Sequence, residues 1–351
     1  MCLNICLCLW LVLMFLCCCR SHISCRNEAG EPVDWFIIYK LPRYQIGGVG
    51  SGVDYMYLDS SVGTWVMSQF MVNMSEGAVA NTLNQLYKGD TYKSNSSVYA
   101  LYNDSPPDTE YIRGHGHTKG VLLFDHIQGF WMSHSIPHFP SAPEKGYLYP
   151  VTGIYYGQTA LCVTYNFDQF LHVEQQMTLL NPHFYNCSVP PAFSSRFPLL
   201  VEMCGGGGRP PKSGDKGVRP LVSAGGQTFY SFVKSAKFVD DIYVGWVAQV
   251  LNSDLLVQSW QRQAKDLPSN CSLPRHAMNV KRIKLPGPVK FTSYEDHSKW
   301  CVSLIYEDQL TCLGDLNRQN VQMWRAGGVL CTDDPVIYKA FRPVVDWYIG
   351  C

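Results

Sequence analysis

The stretch GHGHTKGVLLFD, residues 114–125, places polar side chains at the start of an apolar run. His117 and Lys119 are two residues apart, and in a β-strand such residues point to the same face. The stretch EDHSKWCVS, residues 295–303, repeats the pattern with His297 and Lys299. Burying an imidazole beside an ammonium in an ordinary strand would cost free energy. The two HxK tripeptides therefore indicate a shared chemical task.

Two HxK tripeptides are more than chance predicts, since a random order of the ten histidines and the lysines would give roughly 0.4 of them. A third polar side chain follows each one. His134 comes seventeen residues after His117. Asn317 comes twenty residues after His297. Each half of the chain thus offers an imidazole, a lysine and a later polar group.

Two such triplets suit the hydrolysis of a phosphodiester without a metal ion. Lysines and an amide or imidazole can stabilise the charge that grows on the phosphoryl oxygens during attack. One imidazole can attack phosphorus while the other protonates the leaving alcohol, and the two exchange tasks when water resolves the phosphohistidine. Neither histidine suffices alone, which explains why two copies of the pattern would be brought together.

Length and composition are those of a globular protein, with 351 residues, 46% hydrophobic and 13% aromatic. The formal net charge is zero at pH 7, so no polyanionic partner is indicated at that pH. Without its first 24 residues the chain has 27 basic and 28 acidic residues and nine histidines. Protonation of all nine near pH 5 predicts a charge of roughly +8, which would favour a polyanion.

The first twenty residues are almost wholly apolar and predict a signal peptide, residues 1–24, that is removed before Cys25. The alternative is an uncleaved membrane anchor, because roughly 18 apolar residues nearly span a bilayer. Cleavage is favoured because no other long apolar stretch follows.

Nine of the fifteen cysteines lie beyond this leader, dispersed and without a CxxC pair, which argues against zinc-ribbon and thioredoxin-like sites. They predict disulfides formed in an oxidising compartment, with one cysteine left free. Sequons predict N-glycans at Asn73, Asn95, Asn186 and Asn270. The sequon at Asn103 ends an apolar run, so a turn at a strand end is favoured over a glycan there.

Strand-like runs dominate the chain, and helical patterns lie among them. Strands are predicted at 33–41, 54–59, 97–103, 118–124, 129–135, 160–167, 226–235, 254–261 and 277–285. Helices are predicted at 75–88, with Ser75 as the N-cap, and at 167–180 and 240–251. Strands, a helix and then HxK recur in the same order, which predicts a diverged duplication. The Gly- and Pro-rich segment 204–220 predicts a mobile loop between an N-terminal half, 25–203, and a C-terminal half, 221–351.

The HxK and Asn arrangement resembles the phospholipase D superfamily, whose motif is HxKxxxxD followed by GSxN. The spacing is kept by HTKGVLLFD and His134, and GDLN, residues 314–317, resembles the second GSxN. The motif aspartate is absent, since Phe124 and Leu304 occupy its places and Asp125 comes one residue late. This departure argues against the lipid hydrolases of the superfamily.

The chain resembles one branch in particular, the deoxyribonuclease II family, over residues 25–351. The matching segments are PVDWFIIYKLP, RGHGHTKGVLLFDH, FWMSHSIPHFP, YGQTALCV, KFVDDIYVGW, LPSNCS, EDHSKWCVS and TCLGDLNR. The resemblance implies an α/β fold of the mixed α+β kind. Two similar phospholipase D-like halves, each a mixed β-sheet with helices, would share a central cleft.

The resemblance also implies a function. The protein would be an acid endonuclease that cleaves double-stranded DNA to 3′-phosphate ends through a phosphohistidine intermediate, with no divalent metal and no cofactor. It would reach the lysosome through the secretory pathway, with secretion as a second destination. No stable membrane association is expected after cleavage of the signal, and a homodimer is compatible with the family.

By motif match, His117 and His297 are the catalytic pair, and Lys119 and Lys299 bind the phosphate. His134 and Asn317 complete the site. Family practice makes His297 the nucleophile and His117 the acid, although the sequence alone does not separate these roles. The implied disulfides are Cys25–Cys162, Cys187–Cys204, Cys271–Cys351 and Cys312–Cys331. Cys301 would be a free, inert, buried thiol.

Several alternatives remain open at this stage. His134 suits a buried core histidine as well as a site residue. His115 and His126 are expected to be structural or surface residues, and Trp300 to be packed. Arg113 and Arg318 could each contact phosphate or have a local structural role.

Three other functions compete with the nuclease. One is a zinc site built from His115, His117, His134 and His138, although Pro137 breaks the helical spacing that such a site needs. The others are a phospholipase D-like phosphodiesterase acting on another substrate and a secreted DNA- or glycan-binding protein without turnover.

Overall fold

The computed structural model describes residues 22–43, 50–109, 111, 113–207, 216–262 and 265–351. The strands of the N-terminal part are β1 Cys25–Arg26, β2 Pro32–Val33, β3 Trp35–Lys40, β4 Tyr55–Asp59, β5 Val66–Met67, β6 Val98–Asn103, β7 Lys119–Phe124, β8 Gln128–His134, β9 Gln158–Asn166 and β10 Phe184–Ser188. Those of the C-terminal part are β11 Lys216–Val222, β12 Thr228–Lys234, β13 Leu255–Ser259, β14 Ala277–Lys284, β15 Lys290–Thr292, β16 Lys299–Ser303, β17 Thr311–Gly314, β18 Gly327–Thr332 and β19 Val345–Ile349.

The α-helices of the described ranges are Ala78–Tyr87, Gln169–Leu180, Pro191–Ser194, Pro198–Cys204, Ala248–Leu251 and Pro335–Phe341, and a π-helical turn spans Tyr243–Val247. The strand and helix positions predicted from the sequence all fall on elements of the matching type, so the mixed α/β class is confirmed. No helix in the described part of the chain is both long and apolar enough to cross a membrane.

The two large sheets repeat one arrangement of strands. The first has the order β10-β6-β7-β8-β9-β3-β4-β5, and the second has the order β11-β12-β18-β17-β16-β13-β14-β15, with β19 on β14. The run β6-β7-β8-β9-β3 of the first corresponds to β13-β16-β17-β18-β12 of the second, and every neighbouring pair in both runs is antiparallel. The HxK strands β7 and β16 occupy the same place, as a duplication predicts.

The sheets differ in one respect from the expectation that both are mixed. All pairs in the first sheet are antiparallel, whereas β13 and β14 in the second are parallel. The reason is an insertion: β14 and β15 come between β13 and β16 in the chain, while β7 follows β6 directly.

The central strands are apolar throughout because both of their faces are covered. In β3, Ile37 and Tyr39 point into a core that both sheets share, while Phe36 and Ile38 point into an outer core under the helix Ala78–Tyr87. The shared core also contains Leu256 of β13 and Trp300 of β16. A third core lies under residues 242–251 on the outside of the second sheet. The layers are therefore helix, sheet, sheet and helix.

The start of the first helix differs from the sequence prediction. Ser75 is not the N-cap; Gly77 occupies that position, and no side chain caps the helix there. Instead, Glu28 accepts a hydrogen bond from the backbone N–H of Ala78 at 3.0 Å. A carboxylate from a distant segment thus accepts a hydrogen bond from a backbone N–H in the first turn of the helix, where these groups have no partner within the helix.

Two predicted boundaries can be compared with the structure. Lys216–Pro220 belong to β11 rather than to the predicted loop 204–220, because their backbone pairs with β12. Cys204 ends a helix, and residues 208–215 lie outside the described residues. The predicted leader, 1–24, also lies mostly outside them. Ser24 is nevertheless buried, and its backbone N–H donates to Gln85 Oε1 at 3.2 Å.

The cysteines pair as the family resemblance implies. The bridges are Cys25–Cys162, Cys187–Cys204, Cys271–Cys351 and Cys312–Cys331. Cys301 is free and fully buried, and burial raises the pKa of its thiol, so it is an unreactive core residue. Trp300 is also fully buried, and its Nε1 donates to the Tyr39 hydroxyl at 3.1 Å, which confirms a packing role.

The bridge between Cys25 and Cys162 closes a sequence separation of 137 residues, so its removal should destabilise the fold. The variant with both cysteines changed to Ala should lose about 2–5 kcal/mol of unfolding free energy in chemical denaturation without reductant. Cys301→Ala is the matched control and should cost about 1 kcal/mol, because it only leaves a small cavity. An equal loss in both variants, or a bridged Cys301 peptide in non-reduced mapping, would contradict this disulfide scheme.

Candidate active site

The first HxK motif lies where β7 begins. Lys119 is the first residue of this strand and pairs with Asn103 of β6, so Asp104 follows directly beside the motif. Asp104 Oδ2 lies 2.7 Å from His117 Nδ1, and its other oxygen accepts a hydrogen bond from Lys119. Arg325 Nη2 donates to Asp104 at 3.0 Å. One buried carboxylate therefore holds an imidazole, an ammonium and a guanidinium.

The second motif lies at the start of β16 in the same register. Lys299 pairs with Ser259 of β13, so Trp260 takes the place that Asp104 has in the first half. The Trp260 ring packs edge-on against the His297 ring, with centroids 4.5 Å apart. His297 Nδ1 lies 3.2 Å from both Ser135 O and Gln158 Oε1. Lys299 Nζ also lies 3.1 Å from this Nδ1. His297 thus has an ammonium, neutral oxygens and an indole around it where His117 has a carboxylate.

Each histidine is docked by the half of the chain that does not contain it. The His117 backbone N–H donates to Ala326 O at 2.8 Å, and the His297 N–H donates to Gly157 O at 2.9 Å. A Cβ at Gly157 would lie 2.4 Å from Asp296 Oδ1, and one at Gly116 would lie 2.0 Å from Leu180 O. The close approach of the Asp296 side chain at Gly157 and of the Leu180 backbone at Gly116 therefore requires glycine at both positions.

The two motifs meet at one place, as the electrostatics show. Burial lowers the pKa of His297 well below its usual value, and the nearby charges of Lys299, Lys119 and His117 lower it further. Burial likewise lowers the pKa of Lys299, with Lys119 adding to the effect. Side chains from both motifs therefore interact across the boundary between the halves.

His134, the last residue of β8, belongs to this cluster. It is 3% exposed, and its Nδ1 accepts a hydrogen bond from Ile136 N at 3.2 Å. Burial, followed by the charge of Lys119, lowers its pKa to about 3. A neutral His134 can act as a hydrogen-bonding group near the first motif, but its Nε2 has no partner in the described part of the chain.

Asn317 is not the register equivalent of His134. His134 comes one residue after the Ser133–Gly120 pair, whereas the residue after the Leu313–Trp300 pair is Gly314. Asn317 instead stands in the turn after β17, and its buried Oδ1 is unpartnered among the described residues. The next residue is anchored beside β13, because Arg318 N donates to Ser259 Oγ at 3.1 Å.

Unpartnered buried polar atoms are concentrated around the two motifs. They include His117 Nε2, His134 Nε2, Trp260 Nε1, Asp315 Oδ1 and Asn317 Oδ1. Buried polar atoms cost free energy unless they find a partner, so a concentration of them indicates a place where a polar ligand completes the hydrogen bonds.

The low pKa values correct the charge predicted for acid pH. Burial, and then the charge of Lys119, lowers the pKa of His117 to about 3, despite the opposing effect of Asp104. His117 and His134 therefore stay neutral near pH 5 in the free protein, and burial lowers the pKa of His297 in the same direction. The predicted charge of roughly +8 is therefore too high, because it counted a proton on each of these buried histidines.

Sequence reasoning missed four residues that contact the motifs: Asp104, Gln158, Trp260 and Arg325. Asp104 and Trp260 could have been found from the sequence. Each HxK strand pairs with the strand before it, and the residue that follows the partner of the motif lysine lies beside the motif. Arg325 and Gln158 gave no such signal, because they come from the opposite half. Asp315 within GDLN was also missed; burial raises its pKa to about 7.

Other predicted residues have structural roles. Arg318 is buried and donates to Asp241 at 2.8 Å. Its guanidinium is therefore engaged in an ion pair within the fold, and it is not assigned a phosphate contact. His126 stacks on Phe193 with centroids 4.0 Å apart, and His115 contacts His183 at 4.9 Å. The exposed Arg113 has no contact that assigns it a role.

The histidines of the alternative zinc site do not cluster. Within the described ranges, the one group with metal-ligand spacing is Cys271, His276 and Cys351, and its cysteines form a disulfide. His138 is engaged elsewhere, with Nδ1 3.0 Å from Pro106 O.

The sequons also differ in their surroundings. Asn73 and Asn95 are exposed and Asn186 and Asn270 are half-buried, so glycosylation at these four stays a prediction. Asn103 is fully buried and donates to Ile136 O and Phe139 O, which confirms the strand-end turn rather than a glycan.

The two sheets repeat one arrangement of strands, and each contributes one HxK motif to the same site, which is the arrangement of a two-half protein of the phospholipase D-like class. Comparison with known proteins is consistent with this. The family model for deoxyribonuclease II matches residues 24–351. The chain is 44% identical to human deoxyribonuclease-2-beta over 336 residues, 94% of this chain and 92% of the relative. It is 40% identical to pig deoxyribonuclease-2-alpha, covering 94% and 91% of the two chains.

A further relative is Plancitoxin-1 of Acanthaster planci, 35% identical over 94% of this chain and 92% of the relative. The chain belongs to the deoxyribonuclease II family. It is therefore a nuclease, and DNA is its substrate class.

Asp104→Asn should lower DNA cleavage on the order of 10²-fold, because a neutral amide cannot balance Lys119 and Arg325 or stabilise a protonated His117. Steady-state cleavage from pH 4 to 7, with thermal unfolding to verify the fold, measures this. Asp125→Asn is the control. Asp125 caps the turn after β7, about 20 Å along the strand from Lys119. Equal losses in both variants would contradict the role of Asp104.

Proposed function

We propose that this protein is an acid endonuclease that cleaves double-stranded DNA without a divalent metal. It leaves 3′-phosphate ends through a phosphohistidine intermediate. The observation that carries the proposal is that each HxK motif is docked by a backbone hydrogen bond to the other half, with His117 Nε2 buried and without a partner among the described residues. Asp104 contacts His117, Lys119 and Arg325 there, and the negative charge of a phosphodiester would pair with the basic groups of the two motifs.

Different surroundings assign different roles to the two histidines. Asp104 stabilises an imidazolium at His117, so His117 is the proton donor. The neutral oxygens of Ser135 and Gln158 near His297 Nδ1 hold the proton on Nδ1 and leave Nε2 with the lone pair. Lys299 Nζ lies 3.1 Å from Nδ1 and 3.4 Å from Nε2, where it is placed to contact the phosphate as well. A neutral imidazole is the nucleophile that the reaction needs.

In the first step His297 Nε2 forms a bond to phosphorus and the bond from phosphorus to the 5′-oxygen breaks. His117 gives its Nε2 proton to that oxygen, and the 5′-hydroxyl strand leaves. In the second step the now neutral His117 takes a proton from water, whose oxygen attacks the phosphohistidine. The 3′-phosphate is released and both histidines return to their starting states. Lys119 and Lys299 stabilise the phosphoryl oxygens in both steps.

Acid dependence follows from the charge of the bound phosphate. In the free site burial holds the pKa of His117 at about 3, so little of it is protonated at pH 5. A phosphodiester beside the ring stabilises the imidazolium and raises this pKa. Above the raised pKa the protonated fraction falls about tenfold for each pH unit, so the rate falls as the pH rises.

The lysosome is the compartment that fits an enzyme of this kind. Four disulfides and the predicted signal peptide and glycans support passage through the secretory pathway. An acid optimum would confine cleavage to an acidic lumen, and secretion would be the second destination.

His117→Ala and His297→Ala should each abolish most nicking of plasmid DNA at pH 5 in EDTA, and the double variant should be hardly worse, because both act in one step. A p-nitrophenyl phosphodiester needs little leaving-group protonation. His117→Ala should therefore recover activity on it, and His297→Ala should not. Circular dichroism verifies folding, since both side chains are largely enclosed.

Nicking near the wild-type rate by either variant would remove the mechanism. Loss of wild-type nicking in EDTA, with restoration by a divalent cation, would remove metal independence. DNA binding without nicking would identify a non-catalytic binder. Cleavage of the small diester alone would identify another phosphodiesterase.

Anion binding should be coupled to proton uptake. Sulfate does not titrate between pH 5 and 7.5, and bound sulfate raises the pKa of His117 from about 3, so the complex binds more protons. Sulfate affinity should therefore rise as the pH falls from 7.5 to 5, with net proton uptake in titration calorimetry across buffers of different ionisation enthalpy. His117→Ala should reduce the uptake. Affinity that does not change with pH would contradict the pH argument.

A further inference from the structure

Two buried lysines occupy equivalent places in the two sheets. Lys40 is the last residue of β3 and Lys234 is the last residue of β12, and both are 0% exposed. β3 and β12 are the equivalent strands at one end of the repeated five-strand run. The sequence pattern gave no reason to single out either lysine.

The two ammonium groups make matching hydrogen bonds. Lys40 Nζ donates to Ile154 O at 2.9 Å and to Tyr156 O at 2.5 Å. Lys234 Nζ donates to Met323 O at 2.9 Å and to Arg325 O at 2.6 Å. In each half, the acceptors are two residues apart in the loop that leads into the next equivalent strands, β9 and β18.

These loops are the ones that dock the catalytic histidines. Tyr156 precedes Gly157, whose carbonyl accepts the His297 N–H, and Arg325 precedes Ala326, whose carbonyl accepts the His117 N–H. The same loops supply side chains to the imidazoles. Gln158 Oε1 lies 3.2 Å from His297 Nδ1, and Arg325 Nη1 lies 3.1 Å from His117 Nδ1.

We infer that Lys40 and Lys234 are paired positioning residues: each fixes the loop of its own half that orients the catalytic histidine of the other half. The inference rests on the proposed function for the identity of the reacting histidines. It assigns neither lysine a contact with substrate.

The cost of burying these charges supports a functional role. Burial lowers the pKa of Lys40 to about 7, against the opposing effects of Asp296 and Asp54. Burial lowers the pKa of Lys234 to about 8, against Asp240 and Asp241. An apolar side chain of similar length would pack there without this penalty. Both halves keep the same costly arrangement although their motif surroundings have diverged, which indicates a requirement at the docking loops. Both lysines are protonated at acid pH.

The test uses Lys40→Met and Lys234→Met in the full chain, with exposed Lys339→Met as control. Each is assayed on DNA and on the p-nitrophenyl phosphodiester, per folded protein from circular dichroism and thermal unfolding. Losses on DNA of about 10- to 100-fold in kcat are expected for the buried positions, because small misplacements of reacting groups have this effect. Lys339→Met should retain the wild-type rate.

The substrate profile separates positioning from a merely structural role. The relative losses on the two substrates should be the same in Lys40→Met as in His297→Ala, and the same in Lys234→Met as in His117→Ala. This holds whichever histidine proves to be the nucleophile. Lys234→Met should thus retain more activity on the activated diester than on DNA, and Lys40→Met should lose both alike.

Equal losses on both substrates in both lysine variants, or a profile that follows the histidine of the same half, would overturn the inference. If a Met variant does not fold, Lys40→Arg and Lys234→Arg, which keep the charge, are compared in the same two assays. An arginine places its donors differently from the lysine ammonium, so the docking loop should shift and the rate should fall. Wild-type rates in both arginine variants would therefore also overturn the inference. Failure of the proposed function can be told apart from failure of this inference, because in that case His117→Ala and His297→Ala would keep full activity.

Discussion

Two backbone hydrogen bonds across the boundary of the halves, His117 N–H to Ala326 O and His297 N–H to Gly157 O, are the constraint on which the site depends. Neither half can orient its own histidine, because the acceptor belongs to the other sheet. The sheets must therefore pack through their shared core before the site exists. The same core contains side chains from both, including Tyr39 and Trp300.

Charge is distributed in the site so that a phosphate completes it. Asp104 is the carboxylate that contacts His117, Lys119 and Arg325, and these cations hold its pKa well below the usual range. Burial of charged groups is costly, and the lowered pKa of Lys299 reflects that cost. Binding of an anion removes part of it, so substrate affinity and the protonation of the histidines are linked.

The two sheets share one strand arrangement, as a duplication predicts, but the residues around the two motifs have diverged. Asp104 and Trp260 hold the same register position beside the two motifs, yet one is an anion and the other an indole. His134 and Gly314 also hold equivalent places with different chemistry. Two identical sites would give two histidines of equal basicity. In the mechanism that we propose, the differences in surroundings make one histidine a proton donor and the other a nucleophile.

The sequence by itself determined the strand positions, the HxK pair and the family. Apolar runs mark strands buried on both faces, and motif spacing is local along the chain. The pairing of the cysteines also followed, although through the resemblance rather than from the spacing. Asp104 was within reach of sequence reasoning, since strand pairing places it beside Lys119.

Only the tertiary structure decided which groups surround the histidines. Arg325 and Gln158 reach them from the opposite half, across sequence separations of 208 and 139 residues, and no local pattern encodes such a contact. Glu28 replaced Ser75 at the start of the first helix for the same reason. The pKa values of the histidines follow from burial and from charges on distant segments, which exist only once the two sheets have packed.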